Sequence, residues 1–244
     1  MFPIADENLP GRGLPWVTIG LILANAAVFL LLQAASGDNT FTYGWSAIPL
    51  EITKGVDLTQ AQSVLIGGAP VLIPQAPGPS PIYLTLLSSM FMHGSWLHLG
   101  GNMLFLWIFG DNVEHRAGPI LFLVAYLATG LVGSLAQIFA SPDSYIPSLG
   151  ASGAISGVLG AYIVLYPTNR VTVFLFRFLT QVPALVAIGM WIVLQVVSSL
   201  ADPTGAGGVA YLAHIGGFAS GALVGLLLRA LPDRGAGSSS AAFS

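Results

Sequence analysis

Residues 149–166 read LGASGAISGVLGAYIVLY. The stretch carries no charge, and small residues recur at every fourth position: Gly153, Gly157 and Ala161, with Gly160 adding to the small surface. Small-xxx-small stripes of this kind let two membrane helices come unusually close. The first serine, Ser152, lies between Ala151 and Gly153, which leave its hydroxyl approachable. The stretch therefore reads either as the packing seam of a membrane helix or as the surroundings of a nucleophile. The rest of the chain decides between them.

Composition sets the solvent. The chain has 244 residues, 55% of them hydrophobic and 7% charged, with a mean hydropathy of +0.81. A soluble domain carries about 25% charged residues, so this one cannot cover a water-facing surface and belongs in lipid. A net charge of −3 argues against nucleic acid as a partner. The chain has no cysteine, which excludes disulfides. Uncharged windows span 13–37, 117–142, 144–169, 178–201 and 203–228, and another ends at Asp111. Each approaches or exceeds the roughly 20 apolar residues of a spanning helix. The expectation is an all-α, polytopic membrane protein with six helices at about 16–35, 93–110, 118–140, 151–167, 181–199 and 209–229.

In that topology Arg12, Arg116, Arg170, Arg177, Arg229 and Arg234 share one side. Lys54 lies on the other, with Asp38, Glu51, Asp57, Asp143 and Asp202. The positive-inside rule then places both termini in the cytoplasm. The N-terminal MFPIADENLPGRG shows neither a basic n-region nor an A-x-A site, so the first apolar window is expected to be a retained span. The organisation reads as a cytoplasmic tail at 1–15, a membrane domain at 16–230 containing a long external Pro- and Gly-rich loop at 36–81, and a flexible cytoplasmic tail at 231–244. No tandem repeat is present, and no pattern specifies an oligomeric state.

Polar residues inside an apolar chain mark function, because their burial in hydrocarbon is costly. His115, in EHR, is expected at the solvated inner end of the second helix. His93, His98 and Asn102 cluster at the start of that helix, and His214 lies near the start of the sixth. The second, fourth and sixth helices all run from outside to inside. His98, Asn102, Ser152 and His214 therefore share one depth in the outer half of the membrane. Gly217, Gly221 and Gly225 form a second small-residue stripe, and His214 projects from its face. If this stripe meets the one at Gly153 and Gly157, Ser152 and His214 come within the 2.6–3.2 Å that a nucleophile and its base require. Ser156, one turn deeper, is a rival nucleophile; the small flanks of Ser152 favour Ser152.

A serine–histidine pair points to acyl transfer. The fourth and sixth helices carry no acid, so the pair is expected to be a dyad whose imidazole is oriented by packing or by water. His98 and Asn102, one turn apart, are candidate donors to a developing oxyanion, joined by the Ser152 backbone N–H. The positive end of the helix starting at Ser152 adds to them. Metal chemistry fits poorly. His93 and His98 are not spaced to share a helical face, and there is no HExxH glutamate. No cofactor is expected.

The ordered set FMHGSWLHLGGNMLFLWIFGDNVEHRAG, LGASGAISG and AHIGGFASG resembles the rhomboid family of intramembrane serine proteases in its basic six-helix bacterial form, across roughly 60% of the chain. The resemblance implies a rhomboid-like bundle with Ser152 as nucleophile and His214 as base. It implies His98 and Asn102 as oxyanion-hole side chains, helped by the backbone around Ser152, with Gly150 and Gly153 needed for close backbone approach. Asn112, Glu114, Arg116 and Gly118 match a structural polar cluster of the family, and 36–81 its membrane-embedded first loop. The implied partners are transmembrane protein substrates, cut in or near their spans, and the lipid bilayer; the implied place is a bacterial plasma membrane. The chain departs from the family in two places. A frequent Trp-Arg pair is absent near Leu84 and Thr85, and Ser156 stands where some members place a tyrosine that stacks on the histidine.

Two other classes predict different sequences. A non-catalytic rhomboid-like binder of membrane helices would lack the serine or the histidine, and both are present. A small transporter would show an inverted repeat and polar residues at the midplane, and neither is visible.

Overall fold

A computed structural model of the protein describes residues 2–7, 13–175, 177–202 and 208–232. In chain order the elements are β1 (Phe2–Asp6), α1 (Trp16–Ala27, running on as a π-helical turn through Val28–Leu32), α2 (Thr40–Trp45), α3 (Pro49–Lys54), β2 (Gln62–Ile66) and β3 (Ala69–Ile73). They continue with α4 (Thr85–Ser88), α5 (Trp96–Ala117), α6 (Pro119–Ala140), α7 (Ser152–Leu165), β4 (Arg170–Leu175), β5 (Phe178–Pro183), α8 (Ala184–Ala201) and α9 (Tyr211–Ala230).

The small residues of α7 make it the central helix. Every residue from Gly153 to Tyr162 is buried, with α9 on one face and α6 and α5 on the others. The two stripes do meet: a Cβ on Gly217 would overlap the carbonyl oxygen of Gly153, and one on Gly221 that of Gly157. Farther along, a Cβ on Gly225 would come within 2.9 Å of Ala161 O. Backbone therefore touches backbone, an approach only glycine permits. Gly157 itself faces α6, where a Cβ would run into Thr129. A Cβ on Gly153 would find nothing nearer than 3.7 Å, so the tight approach expected at Gly153 is required of its partner Gly217 instead.

The helices α6, α8 and α9 are each long and apolar enough to cross a membrane. The α1 segment through Leu32 and α7 are shorter apolar helices. The α5 helix spans 22 residues but ends on Asp111, Glu114, His115 and Arg116. Together with an outward surface of exposed Leu, Val and Ile on these helices, this makes the chain a mostly helical integral membrane protein.

Sheet corrects the all-α expectation. Within the expected tail at 1–15, Phe2–Asp6 forms β1, which pairs antiparallel with β4, Phe2 opposite Phe174 and Asp6 opposite Val171, and β4 pairs with β5. Val171 and Val173 alternate inward, fully buried, as β-branched residues do on a half-covered strand. The long loop also has its own architecture: α2, α3 and the β2–β3 hairpin. It is stitched to the bundle by Ala47 N to Ser148 O (3.0 Å), Ser148 N to Ala47 O (2.8 Å) and Leu50 N to Ser144 O (3.1 Å). Gln33 closes the joint: its Oε1 accepts from His93 N (2.8 Å) and its Nε2 donates to His93 O (3.0 Å) and Thr42 Oγ1 (2.9 Å). Of the expected tail at 231–244, Leu231 and Pro232 are described; residues 233–244, with Arg234, lie outside the described residues, as does Arg12.

At the opposite end from this loop, polar side chains tie helix termini together. Glu114 accepts from Val17 N (3.0 Å), Thr18 N (2.7 Å) and Thr18 Oγ1 (2.8 Å), so a side chain of α5 caps the unpaired start of α1. Arg116 donates to the carbonyls of Leu228, Leu231 (2.6 Å) and Pro232 (3.3 Å), closing the end of α9. Asn112 Nδ2 donates to Asp6 Oδ2 (2.8 Å) and Glu7 O (3.1 Å), holding β1 against α5. Gly118, at φ +80°, turns the chain from α5 into α6.

Candidate active site

The segment before α7 is held by backbone bonds, which set where the helix starts. Gly150 N donates to Ser89 O at 2.8 Å, and Gly150 adopts φ +130°, a region open to glycine and costly for other residues. Ser152 is then the first residue of α7, and the first intrahelical bond runs from Ile155 N to Ala151 O (2.9 Å). The N–H groups of the first turn, including that of Ser152, precede this bond and have no intrahelical acceptor.

On α9, the stripe that seats Gly217 against Gly153 also fixes His214, three residues earlier. His214 Nε2 lies 2.7 Å from Ser152 Oγ. Ser156 behaves differently: it is fully buried and its Oγ donates to Ser152 O at 2.6 Å. It is committed to its own helix.

His98 and Asn102 sit on the first two turns of α5 and line the same cleft, of about 320 Å³, as Ser152 and His214. Ser95 caps α5, accepting from His98 N at 3.1 Å. Gly94 N donates to His98 Nδ1 at 3.3 Å, so the proton of the neutral ring lies on Nε2. That Nε2 faces Gly150, where a Cβ would come within 2.9 Å of it and 3.6 Å of Ser152 Oγ. Only a glycine lets the imidazole lie over the start of α7. Asn102 is buried, and its Nδ2 has no hydrogen-bond partner among the described residues. His93, fully buried, packs edge-on against the His98 ring with centroids 5.1 Å apart. His115 is remote, its Nε2 2.8 Å from Gly13 O at the other end of α5.

Two further neighbours of His214 lie outside the sequence motifs, and both stand on α8. His214 Nδ1 lies 2.7 Å from Gln195 Oε1, and the Trp191 ring faces the imidazole with centroids 5.9 Å apart and planes inclined by 36°. To the packing or water expected to orient the imidazole, the structure adds a side-chain amide. A signal existed, since Gln195 is the one glutamine in the apolar run 184–201. Being neutral, its amide carries none of the charge that marks a polar group as costly in an apolar helix. No group of three or more His, Asp or Glu among the described residues is placed to hold a metal ion.

Comparison with known proteins follows the same residues. A profile of the Rhomboid domain matches residues 81–231, which contain His98, Asn102, Ser152, Gln195 and His214. The chain is 34% identical over 151 residues to Rhomboid protein 1, mitochondrial, of Saccharomyces cerevisiae (58% of this chain, 41% of that protein). It is 35% identical over 207 residues to the rhomboid protease GluP of Bacillus subtilis (82% of this chain, 37% of that protein). It is 31% identical over 150 residues to RHOMBOID-like protein 5 of Arabidopsis thaliana (62% and 45%). The chain thus spans less than half the length of these relatives.

Proposed function

This chain belongs to the rhomboid family, and from that premise we propose that it is an intramembrane serine endopeptidase that cuts other membrane proteins in or near their transmembrane segments with a Ser152–His214 dyad. The observation that carries the reading is the 2.7 Å approach of Ser152 Oγ to His214 Nε2 in a cleft that also presents His98 and Asn102. A serine hydroxyl inside an apolar protein is a weak nucleophile unless a base takes its proton as it attacks.

In the proposed reaction Ser152 Oγ attacks the scissile carbonyl carbon and its proton passes to His214 Nε2. The carbonyl π electrons move to oxygen, and the oxyanion receives hydrogen bonds from His98 Nε2–H, Asn102 Nδ2–H and the Ser152 backbone N–H. Each such donor is worth about 10²–10³ in rate in comparable sites. Collapse of the intermediate breaks the C–N bond, and the leaving amine takes the proton from His214. A water molecule, deprotonated by the same imidazole, then hydrolyses the acyl-enzyme and regenerates Ser152 Oγ–H.

The finer topology belongs to the same proposal. α1 with its continuation, α5, α6, α7, α8 and α9 would form six spans, with both termini in the cytoplasm of a bacterial cell. The gathering of Arg116, Arg170 and Arg229 at the end where Asn112 and Glu7 meet supports a single basic side. Because the chain has no cysteine, single introduced cysteines report each loop's accessibility without background.

The test of function is cleavage of a reporter with one transmembrane segment by purified protein in liposomes. Wild type is expected to cut it, and so is Ser156→Ala. Ser152→Ala and His214→Ala are expected to lose at least about 10²-fold in kcat, the low end of what a general base supplies. Full cutting by Ser152→Ala would remove the proposal.

A further inference from the structure

The proposed dyad leaves one question open, namely what selects between the two tautomers of neutral His214. Only the tautomer with a bare Nε2 can accept the serine proton; with the proton on Nε2, the ring would donate to Ser152 Oγ and leave it inert. In proteases with a triad, a buried carboxylate settles this by accepting from Nδ1. Among the described residues, the side chains bonded to His214 are Ser152 and Gln195, and neither is a carboxylate. The group at its Nδ1 is the amide oxygen of Gln195, at 2.7 Å.

We propose that Gln195 is the positioning residue of the site: its Oε1 accepts from His214 Nδ1–H, which leaves Nε2 free to take the Ser152 proton, and Trp191 one turn earlier holds the plane of the ring. This rests on the dyad reading and extends it to a third side chain. In this orientation the amide presents its oxygen to Nδ1, which accepts and cannot donate, so the contact as placed admits one tautomer. It does so without an ionised acid, whose burial beside apolar helices would be costly.

The placement of the two residues supports a common role. Trp191 and Gln195 are four apart and so share a face of α8. Both turn from the lipid side toward His214, while Val193, Leu194, Val196 and Val197 on the same helix are exposed. The indole also supplies the ring contact that Ser156 cannot make.

The experiment compares wild type with Gln195→Leu and Gln195→Glu, using the whole protein in lipid nanodiscs, by two readouts. The first is ¹⁵N NMR of histidine-labelled protein, with His214 assigned by its disappearance in His214→Ala. Wild type should show a pyrrole-type Nδ1 and an imine-type Nε2, and Gln195→Leu a mixture of tautomers. The second is reporter cleavage as a function of pH. Gln195→Leu should lose roughly ten-fold or more in kcat, part of the 10²–10⁴ that a general base contributes, with KM changed by less than about two-fold. Gln195→Glu keeps the acceptor and places a carboxylate beside the ring, so it should retain more activity and shift the acid limb of kcat/KM to higher pH. An unchanged tautomer in Gln195→Leu overturns the proposal, as does an acid limb that stays in place in Gln195→Glu. If Gln195→Leu alters the tautomer while wild type cuts no reporter and resists a fluorophosphonate at Ser152, positioning stands and the protease reading fails. Should Gln195→Leu not fold, the Gln195→Glu limb and the wild-type tautomer decide alone.

Discussion

At the scale of single residues, position in the backbone matters as much as chemistry. Ser152 and Ser156 are the same residue type on the same helix, four apart. One opens the helix and reaches His214; the other is buried and donates back to Ser152 O. Gly150 is decisive in another way, since it combines φ +130° with an imidazole lying where its Cβ would be. Gly150→Ala is therefore expected to push His98 off the start of α7 and strain the turn. Reporter cleavage should fall by about 10²-fold, as for loss of one oxyanion donor. The melting temperature should fall by only a few degrees, because one strained residue costs about 1–3 kcal/mol. A variant with wild-type kcat would show that His98 need not lie there.

At the scale of elements, the α7–α9 contact carries the site. Its spacing is set where Gly217 and Gly221 meet the carbonyls of Gly153 and Gly157, and Ser152 and His214 stand just beyond one end of that contact. Gly221→Leu, two turns from His214, should force the helices apart. It should cost about 1–3 kcal/mol or more, as overpacked cores do, and abolish cleavage although no cleft residue is changed. Gly189→Ala on α8, where a Cβ meets nothing within 4 Å, is the control and should melt and cleave like wild type. Comparing the two by thermal unfolding and reporter cleavage separates a backbone-contact glycine from one that is merely helical. The stripes were legible in the sequence because a period of four on a helix keeps one face. Their exact neighbours were not: Gly157 faces Thr129 of α6 as well as α9.

At the scale of the molecule, the long loop is a docked element with its own titration. Glu51 on α3 is 2% exposed, and its Oε1 accepts from Leu58 N at 2.8 Å. Desolvation, helped by nearby Asp57, pushes its carboxyl from 4.5 up to about 7. Below pH 4.5 both folded and unfolded chains hold the proton. As pH rises from there to about 7, the unfolded chain releases it first, so the folded state loses stability across that window and levels off above it. Thermal unfolding in nanodiscs should show this fall for wild type, and Glu51→Gln should flatten it. A wild-type profile that climbs through the window would contradict the assigned burial.

Composition alone placed the chain in a membrane, because a surface with 7% charged residues has no other solvent. Uncharged windows located the helices, and the order of the His-Asn, Gly-Ser and His-Gly motifs pointed to the rhomboid family. The strands are not legible in the uncharged windows: RVTVFL begins with a charge at Arg170, and β1 becomes a strand only by pairing with a segment more than 160 residues away. The tertiary structure decided what periodicity cannot express. A helical period fixes which residues share a face, not which face of which helix lies opposite. The 2.7 Å contact between Ser152 and His214 joins positions 62 residues apart, and the partner at Nδ1 comes from a third helix whose lone glutamine marks a face but not what that face meets. The rotation of that helix is set by packing across the whole bundle, so Gln195 becomes part of the site only once the chain is folded.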